Sequence, residues 1–529
     1  MLAEDRHFYT LSQEELWQRY CGFTDLSIDK FIDIQNYLLM QQIELVSEST
    51  LGKKIIGNGK PKTVEEFRKV VPLTKYDDYE PYLSQKREDA LAVKPLFWCH
   101  SAGRGGDYKW IPYTSEAFNA FTILYGAFLI MAAASNKGEV KIYPGERLLF
   151  NAAPRPYASG TFFYHLSQVF SMHCMPPFEV AETISFADRL SMGFNLALRH
   201  GLDDVWSIAS VLVKVGEMFA GEAQGIKLSF SMLHPQALFN IIRGLLRAKL
   251  ARRPMLPRDI WDAKSIMTSG TDTSIYKDAI AYYWGKEPYE IYASTEFPCL
   301  GANLWNKRWL TLIPHACFYE FIPEKESIKS REDSSYHPST VLASELEAGK
   351  VYEVVATEFY GMPLLRYKLG DAIKVIALSD EEAGVNLPQF SFHNRVGETI
   401  DLAGLARLTE RVIWQAIANS DIKYNEWSVC KEYDSGITYI RFYIELKESR
   451  EVDEIERIID EQLRIVDHDY RDINDYLNIN PVKVTLLSPG TFDRYYQERV
   501  KEGADLAHLK PPHMTPPKKI IEDLIRLSG

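Results

Sequence analysis

From Leu96 onward, short apolar runs alternate with longer amphipathic stretches, and this alternation limits the possible fold more than any other feature of the chain. Leu96–His100, Arg147–Ala152, Lys264–Thr268 and Glu290–Ala293 read as buried strands. Trp206–Phe219 reads as a helix, because Ile208, Val211, Leu212, Val215 and Phe219 recur at helical spacing. Strands interleaved with helices predict an α/β fold. Residues 10–90 read as a helical periphery in which Ser12-Gln13-Glu14-Glu15 has the form of a capping box and Val71-Pro72-Leu73-Thr74 breaks the pattern. The charge-free stretch Ala117–Ser135 is long enough to cross a bilayer. Asn119, Thr122 and Gly126 within it and weak basic flanks instead predict a helix buried against a sheet.

At 529 residues the chain exceeds one ordinary core, so at least two domains are expected. A boundary near Arg395 divides a large domain, 1–395, from a smaller α+β domain, 396–529. In the latter, Thr438–Leu446 and Val482–Leu487 read as strands. Between them, Ser449 is placed to cap a helix with Val452, Ile455, Ile459, Leu463 and Val466 on its apolar face. The proline-rich tail from Lys510 to Lys519 excludes regular helix until its last proline. The net charge of −12 argues against nucleic acid or an anionic membrane as the main partner. Six scattered cysteines without a CxxC pair, and an acidic start without an apolar run, point to a cytoplasmic chain with reduced thiols. The sequence leaves the oligomeric state open.

Four runs carry the chemistry. Ser101-Ala102-Gly103-Arg104-Gly105-Gly106-Asp107-Tyr108-Lys109 follows a strand and precedes a helix, so its glycines let backbone N–H groups turn toward an anion while Arg104 and Lys109 add charge. It lacks the closing GK[ST] of a Walker loop and the third glycine of a dinucleotide fingerprint, and a glycine-rich surface turn is the alternative. Thr268-Ser269-Gly270-Thr271 brings backbone close to a flat base. Ile291-Tyr292-Ala293-Ser294-Thr295-Glu296 supplies a ring, hydroxyls and a carboxylate suited to Mg²⁺. Leu365-Arg366-Tyr367-Lys368-Leu369-Gly370-Asp371 supplies a cation for developing phosphoryl charge and a carboxylate for a ribose diol. Taken singly, each also fits a core-edge tyrosine, a solvated glutamate or a surface Arg–Asp pair. His315, His393 and His513 stand alone in their local patterns and read as structural.

Taken together, these runs resemble the Gretchen Hagen acyl acid amido synthetases, the auxin-responsive-promoter family within the acyl-adenylating enzymes. The resemblance extends to Val71–Tyr79 with Pro81-Tyr82, to Ile313-Pro314 through Phe318–Pro323, and to Pro489–Asp493, Glu502-Gly503-Ala504 and Leu509–Pro512. It implies a large N-terminal α/β domain and a small, mobile α+β C-terminal domain. The implied activity is ATP-dependent conversion of a carboxylic acid to acyl-AMP, then transfer to an amine, an amino acid above all; coenzyme A is the alternative acceptor. By this resemblance, Ser101, Gly103, Arg104, Gly105, Gly106 and Lys109 meet the β- and γ-phosphates. Ser269, Gly270, Thr271 and Tyr292 border adenine, Thr295 and Glu296 hold phosphate and Mg²⁺, and Asp371 binds ribose. Arg395 lies near the hinge and Lys510 faces the α-phosphate. The acyl group is expected between Tyr157–Tyr164 and the Val205–Phe219 helix, with Tyr157, Ser159 and Ser210 at its border. Two departures stand out: Ala102-Gly103-Arg104 replaces hydroxyl residues in the loop, and Pro512-His513 stands where a proline–arginine pair is common. The first motivates another class of function, a nucleotide- or acyl-binding protein with degraded catalysis.

Overall fold

A computed structural model describes the chain apart from residues 58, 102–107, 152, 222–233, 270–272, 334, 397–398, 403–405, 435–436, 478–480 and 502–512. Its described residues form two compact units, one from Met1–Ser101 and Tyr108–Asn394, the other within Arg395–Gly529.

The first unit is built on a mixed sheet of eleven strands. One half is parallel, running from Met172–Met175 through Glu146–Phe150, Asp204–Ser207 and Ser265–Ser269 to Tyr289–Tyr292. From there the sheet continues antiparallel through Gly301–Asn303 and Leu310–Leu312 to Gln389–Arg395. Beyond Gln389–Arg395 lie Tyr367–Ala377, Val351–Thr357 and Phe318–Pro323. The α/β expectation holds. The expected helix Trp206–Phe219 instead splits into the strand Asp204–Ser207 and the helix Ala209–Ala220. A strand buried on both faces has no polar alternation, so Val205 and Trp206 blend into the apolar pattern of the helix that follows.

The charge-free stretch forms the helix Ser115–Ala133, capped by Thr114, whose side chain accepts from the Ala117 amide. Phe128, Ile130 and Met131 are fully buried in it. Gly126 is required there, because a Cβ would stand 2.7 Å from the Tyr20 ring.

The N-terminal helices are more than a periphery. Ser12 and Glu15 close the expected capping box at the start of Gln13–Cys21. Ile28–Val46 then delivers Phe31, Leu39 and Ile43 into the same apolar core as the sheet. Inside that core the Gln35 amide donates to the carbonyls of Pro314 and Cys317 at 2.5 and 2.6 Å, and its oxygen accepts from Tyr319 N at 2.9 Å. Gln42 clamps Met362 O and Gly361 N in the same way, at 2.6 and 2.8 Å. These buried amides make the helices part of the sheet's polar accounting.

In the second unit, Tyr424–Asp434 pairs antiparallel with Ile437–Leu446, which pairs parallel with Val482–Leu487. The helix Val452–Val466 makes the crossover, with Ile455, Ile459 and Leu463 buried. It starts at Glu451 without a side-chain cap, so Ser449 does not play the expected part. Within the proline-rich segment, Val429 N donates to His513 O and Thr515 N to Val429 O, at 2.7 and 2.8 Å. The His513 ring stacks on Trp427, centroids 4.2 Å apart, and its nitrogens meet Glu410 and Glu426 at 2.5 and 2.7 Å. Burial opposes charge on this imidazole, but the bonds to Glu426 and Glu410 outweigh it and raise its pKa above the ordinary value.

Two outcomes follow. Gln35→Leu leaves three buried backbone groups without a partner and lowers stability in urea unfolding by about 3 kcal/mol or more. A raised histidine pKa contributes stability that is complete below about 6.5 and is lost as pH rises through the folded value. The protection of the Val429 amide, taken relative to intrinsic exchange at each pH, therefore falls as pH rises through the folded value of His513, and His513→Gln removes that fall.

Candidate active site

The strands Phe97–His100 and Trp110–Tyr113 form an antiparallel hairpin, closed at its open end by Ser101 N donating to Lys109 O at 3.1 Å. Lys109 is thereby fixed at the base of the glycine loop. Gly103, Arg104, Gly105 and Gly106 lie outside the described residues. The Lys109 ammonium reaches Glu296 Oε1 at 3.2 Å and donates to the Tyr367 hydroxyl at 2.9 Å. That hydroxyl donates to the same Glu296 oxygen at 3.0 Å. Three segments far apart in sequence thus close one charge-assisted triangle.

Glu296 follows the strand Tyr289–Tyr292 in a tight turn. Ser294 N donates to Phe297 O at 2.8 Å, and Phe297 N donates to Ser294 Oγ at 3.0 Å. The Tyr113 hydroxyl donates to Thr295 O, tying the hairpin to this turn. One step back, the Tyr292 hydroxyl donates to Asp371 Oδ2 at 2.9 Å, and its ring lies 6.0 and 6.2 Å from those of Phe390 and Phe392. The structure therefore brings together Lys109, Thr295 and Glu296, and beside them Tyr292 and Asp371. Ser269 pairs with Ile291 on the neighbouring strand, which sets its backbone next to the same run. Gly270, Thr271 and Lys510 lie outside the described residues, as do the side chains of Ser269, Ser210 and Arg395.

Arg366 departs from the expectation. All five N–H donors of a guanidinium are engaged inside the protein: Nε with Glu320 Oε2 at 2.9 Å, Nη2 with Glu320 Oε1 at 2.8 Å and Thr340 Oγ1 at 3.3 Å, and Nη1 with the carbonyls of Arg68 and Val71 at 2.6 Å each. No donor remains for a phosphoryl group. Its backbone takes φ 44°, a left-handed geometry unusual for a residue with a side chain.

The aromatic residues expected to border an acyl group are mostly packed core. Phe163 stands 4.4 Å from Trp206 and 4.6 Å from Phe150, ring to ring. Ser159 donates to Ala153 O at 3.2 Å. Tyr157 sits instead at the base of the glycine loop, its ring 4.5 Å from His100 and 6.3 Å from Tyr108.

Sequence reasoning passed over two contributors. Tyr367 lies inside a run that was singled out, between its cation and its carboxylate, and its position was the available signal. Glu358 had none. It is buried, its Oε2 accepts from Leu364 N at 2.7 Å, and Oε1 has no partner among the described residues. Burial pushes its carboxyl well above the usual range, against the bond from Leu364 N and with help from the Glu296 charge.

Family models match along most of the chain: the GH3 family N-terminal domain at residues 23–217, the central domain at 310–395 and the C-terminal domain at 415–519. The chain is similar to the probable indole-3-acetic acid-amido synthetase GH3.1 of Oryza sativa subsp. japonica, at 23% identity over 88% of this chain and 84% of that protein. In fold it resembles the AtGH3.15 acyl acid amido synthetase in complex with 2,4-DB, with a TM-score of 0.52, 18% identity and coverage of 97% and 96% of the two chains. It also resembles 2-hydroxyisobutyryl-CoA ligase in complex with 2-HIB-AMP and CoA, with a TM-score of 0.55, 14% identity and coverage of 92% and 94%.

Arg366→Met takes the bidentate cation from the buried Glu320 carboxylate, which keeps only Arg68 Nε at 3.2 Å and Thr340 Oγ1 at 2.6 Å, and lowers stability by about 3 kcal/mol. Glu320→Met with Arg366→Met recovers part of that loss in thermal unfolding, the remainder reflecting Arg68, which loses its own partner in the double variant.

Proposed function

Because the chain belongs to the GH3 family, we propose that it joins a small carboxylic acid to an amine, an amino acid above all, through an acyl-adenylate made from ATP. In the first step a carboxylate oxygen bonds to the α-phosphorus and the bond to pyrophosphate breaks. In the second the amine nitrogen bonds to the acyl carbon, AMP leaves and the nitrogen gives up a proton. Neither step asks for a protein nucleophile; both ask for compensation of gathered negative charge and for alignment.

The observation that carries this reading is the convergence of Lys109, Glu296, Tyr292 and Asp371 from distant segments. In it, Lys109 meets the β- and γ-phosphates with the loop amides, including those of Gly103, Arg104, Gly105 and Gly106. Tyr292 and the backbone of Ser269, Gly270 and Thr271 flank adenine. Asp371 takes the ribose hydroxyls, with Tyr292 holding its other oxygen. Tyr367 orients both partners of the Lys109–Glu296 pair. Lys510 is assigned the cation for the α-phosphate and Arg395 the hinge, with 1–395 as the adenylating domain and 396–529 as the smaller one.

One buried carboxylate beside phosphate oxygens is a donor set that suits Mg²⁺, which takes one or two carboxylates and leaves the rest to water and substrate. Glu296 and Thr295 are the residues to hold it, and such an ion offsets phosphate charge as the pyrophosphate departs. The protein's own contribution is the fixed cation, the buried Tyr367 beside it and the grip on the nucleoside.

Carboxylate-dependent exchange of labelled pyrophosphate into ATP tests the first step. It is expected to proceed with an apolar acid and to fall about 10²- to 10³-fold in Lys109→Ala and in Glu296→Gln. Exchange absent with every acid overturns the reading in favour of a binding protein. Hydroxamate or amino acid amide formation, against thioester formation with coenzyme A, decides the acceptor.

A further inference from the structure

The helix Pro235–Leu250 is mounted with its apolar side out. Ala237, Asn240, Gly244 and Ala248, spaced to share one face, are the buried residues, and Asn240 donates to Leu198 O at 2.9 Å. Gly244 allows the close approach, since a Cβ there would lie 2.9 Å from Ile260. The opposite arc carries Leu238, Phe239, Ile242, Leu245, Leu246 and Leu250, exposed by 48–59% and, for Leu250, 85%. Six such side chains leave roughly 500 Å² of apolar surface on one ridge, toward the upper end of what a monomer shows.

The charges of the ridge's own segment are of one sign. Between residues 223 and 258 the sequence has no Asp or Glu, whereas Arg243, Arg247, Lys249, Arg252, Arg253 and Arg258 all fall there, in a chain of net charge −12. Arg253 is answered by Asp259 at 2.6 Å. Arg243 and Arg247 lean on the flank and donate to carbonyls, of Ile260 at 2.7 Å and Asp259 at 3.3 Å, which satisfy their N–H groups without cancelling their charge. Lys249 and Arg252 are exposed.

We propose that this helix is a docking surface for an anionic lipid membrane, lying in the plane of the interface with its leucine ridge among the acyl chains and its cations at the headgroups. Apolar ridge, flanking Lys and Arg, and an absence of acid are the chemistry of an interfacial helix. A second copy fits less well, because pairing two such helices sets cations against cations. A protein partner needs an acidic groove cut to a convex ridge, whereas lipid conforms to it. The net negative charge of the chain does not oppose this contact, since screening confines each surface charge to its own neighbourhood. The inference is independent of the adenylation reading.

Sedimentation of the full-length chain with phosphatidylcholine vesicles, with and without phosphatidylglycerol, tests it. Binding is expected to be at least about tenfold stronger to the anionic vesicles and to weaken about fivefold for each cation removed. Lys249→Glu with Arg252→Glu should erase the preference for anionic lipid, and Leu246→Glu with Leu250→Glu should abolish binding to both. Amide formation in lipid-free buffer should stay unchanged in all of them. Should the leucine variants melt early, the charge pair decides alone. No binding of the parent protein to anionic vesicles overturns the proposal, as does binding that survives both pairs of substitutions. A lipid-free dimer that Leu246→Glu with Leu250→Glu splits into monomers overturns it too, and assigns the ridge to a second copy.

Discussion

The buried pair between Glu320 and Arg366 holds the rest of the first unit in register. Glu320 is 1% exposed and belongs to the strand Phe318–Pro323, an outer strand of the sheet. Arg366 stands at the entry to the strand Tyr367–Ala377. By spending its fork on Glu320 and its remaining donors on the carbonyls of Arg68 and Val71, the guanidinium binds together an outer strand, the turn before Tyr367 and the segment leading to Thr74. Thr74 then bridges in parallel to Tyr367. Two buried charges are costly to desolvate, and the pair is tolerable because every lone pair and proton facing inward is met. What it secures is direction: Tyr367 turns its hydroxyl to Lys109 and Glu296, and Asp371, four residues on, arrives at Tyr292.

Much of this was legible in the chain, for a physical reason. Tyr292, Glu296 and Asp371 sit in short runs where residue type and spacing already limit what the backbone can present. The expected strands followed from short apolar runs, and the buried helix Ser115–Ala133 from a charge-free stretch interrupted by Asn119, Thr122 and Gly126. What escaped were properties decided by distant partners. Arg366 looks like an anion-binding cation until Glu320, 46 positions away, is seen beside it. The helices before residue 90 look like a cover until Gln35 and Gln42 are seen threading amides into the core. Glu358 is an ordinary glutamate in sequence, and only burial and the nearby Glu296 push its carboxyl well above the usual range.

Two of the helices teach a related lesson about averages. Ser115–Ala133 is apolar enough to cross a bilayer, yet it is mostly buried inside its own domain. Pro235–Leu250 is shorter and more polar overall, yet it is the one that turns leucines outward. Hydropathy summed along a helix does not say which way the helix is mounted. That is set by where the small residues fall, because they decide the side that can approach a neighbour.

The triangle of Lys109, Glu296 and Tyr367 has a bearing on selectivity. An ammonium already in contact with a carboxylate is no vacant receptor; any anion arriving there makes an exchange, giving one contact in return for another. A solitary chloride or inorganic phosphate gains little from such a trade. On the proposed reading, a chain of phosphates tethered to a ring and a sugar wins, because its other contacts have already brought it to the threshold.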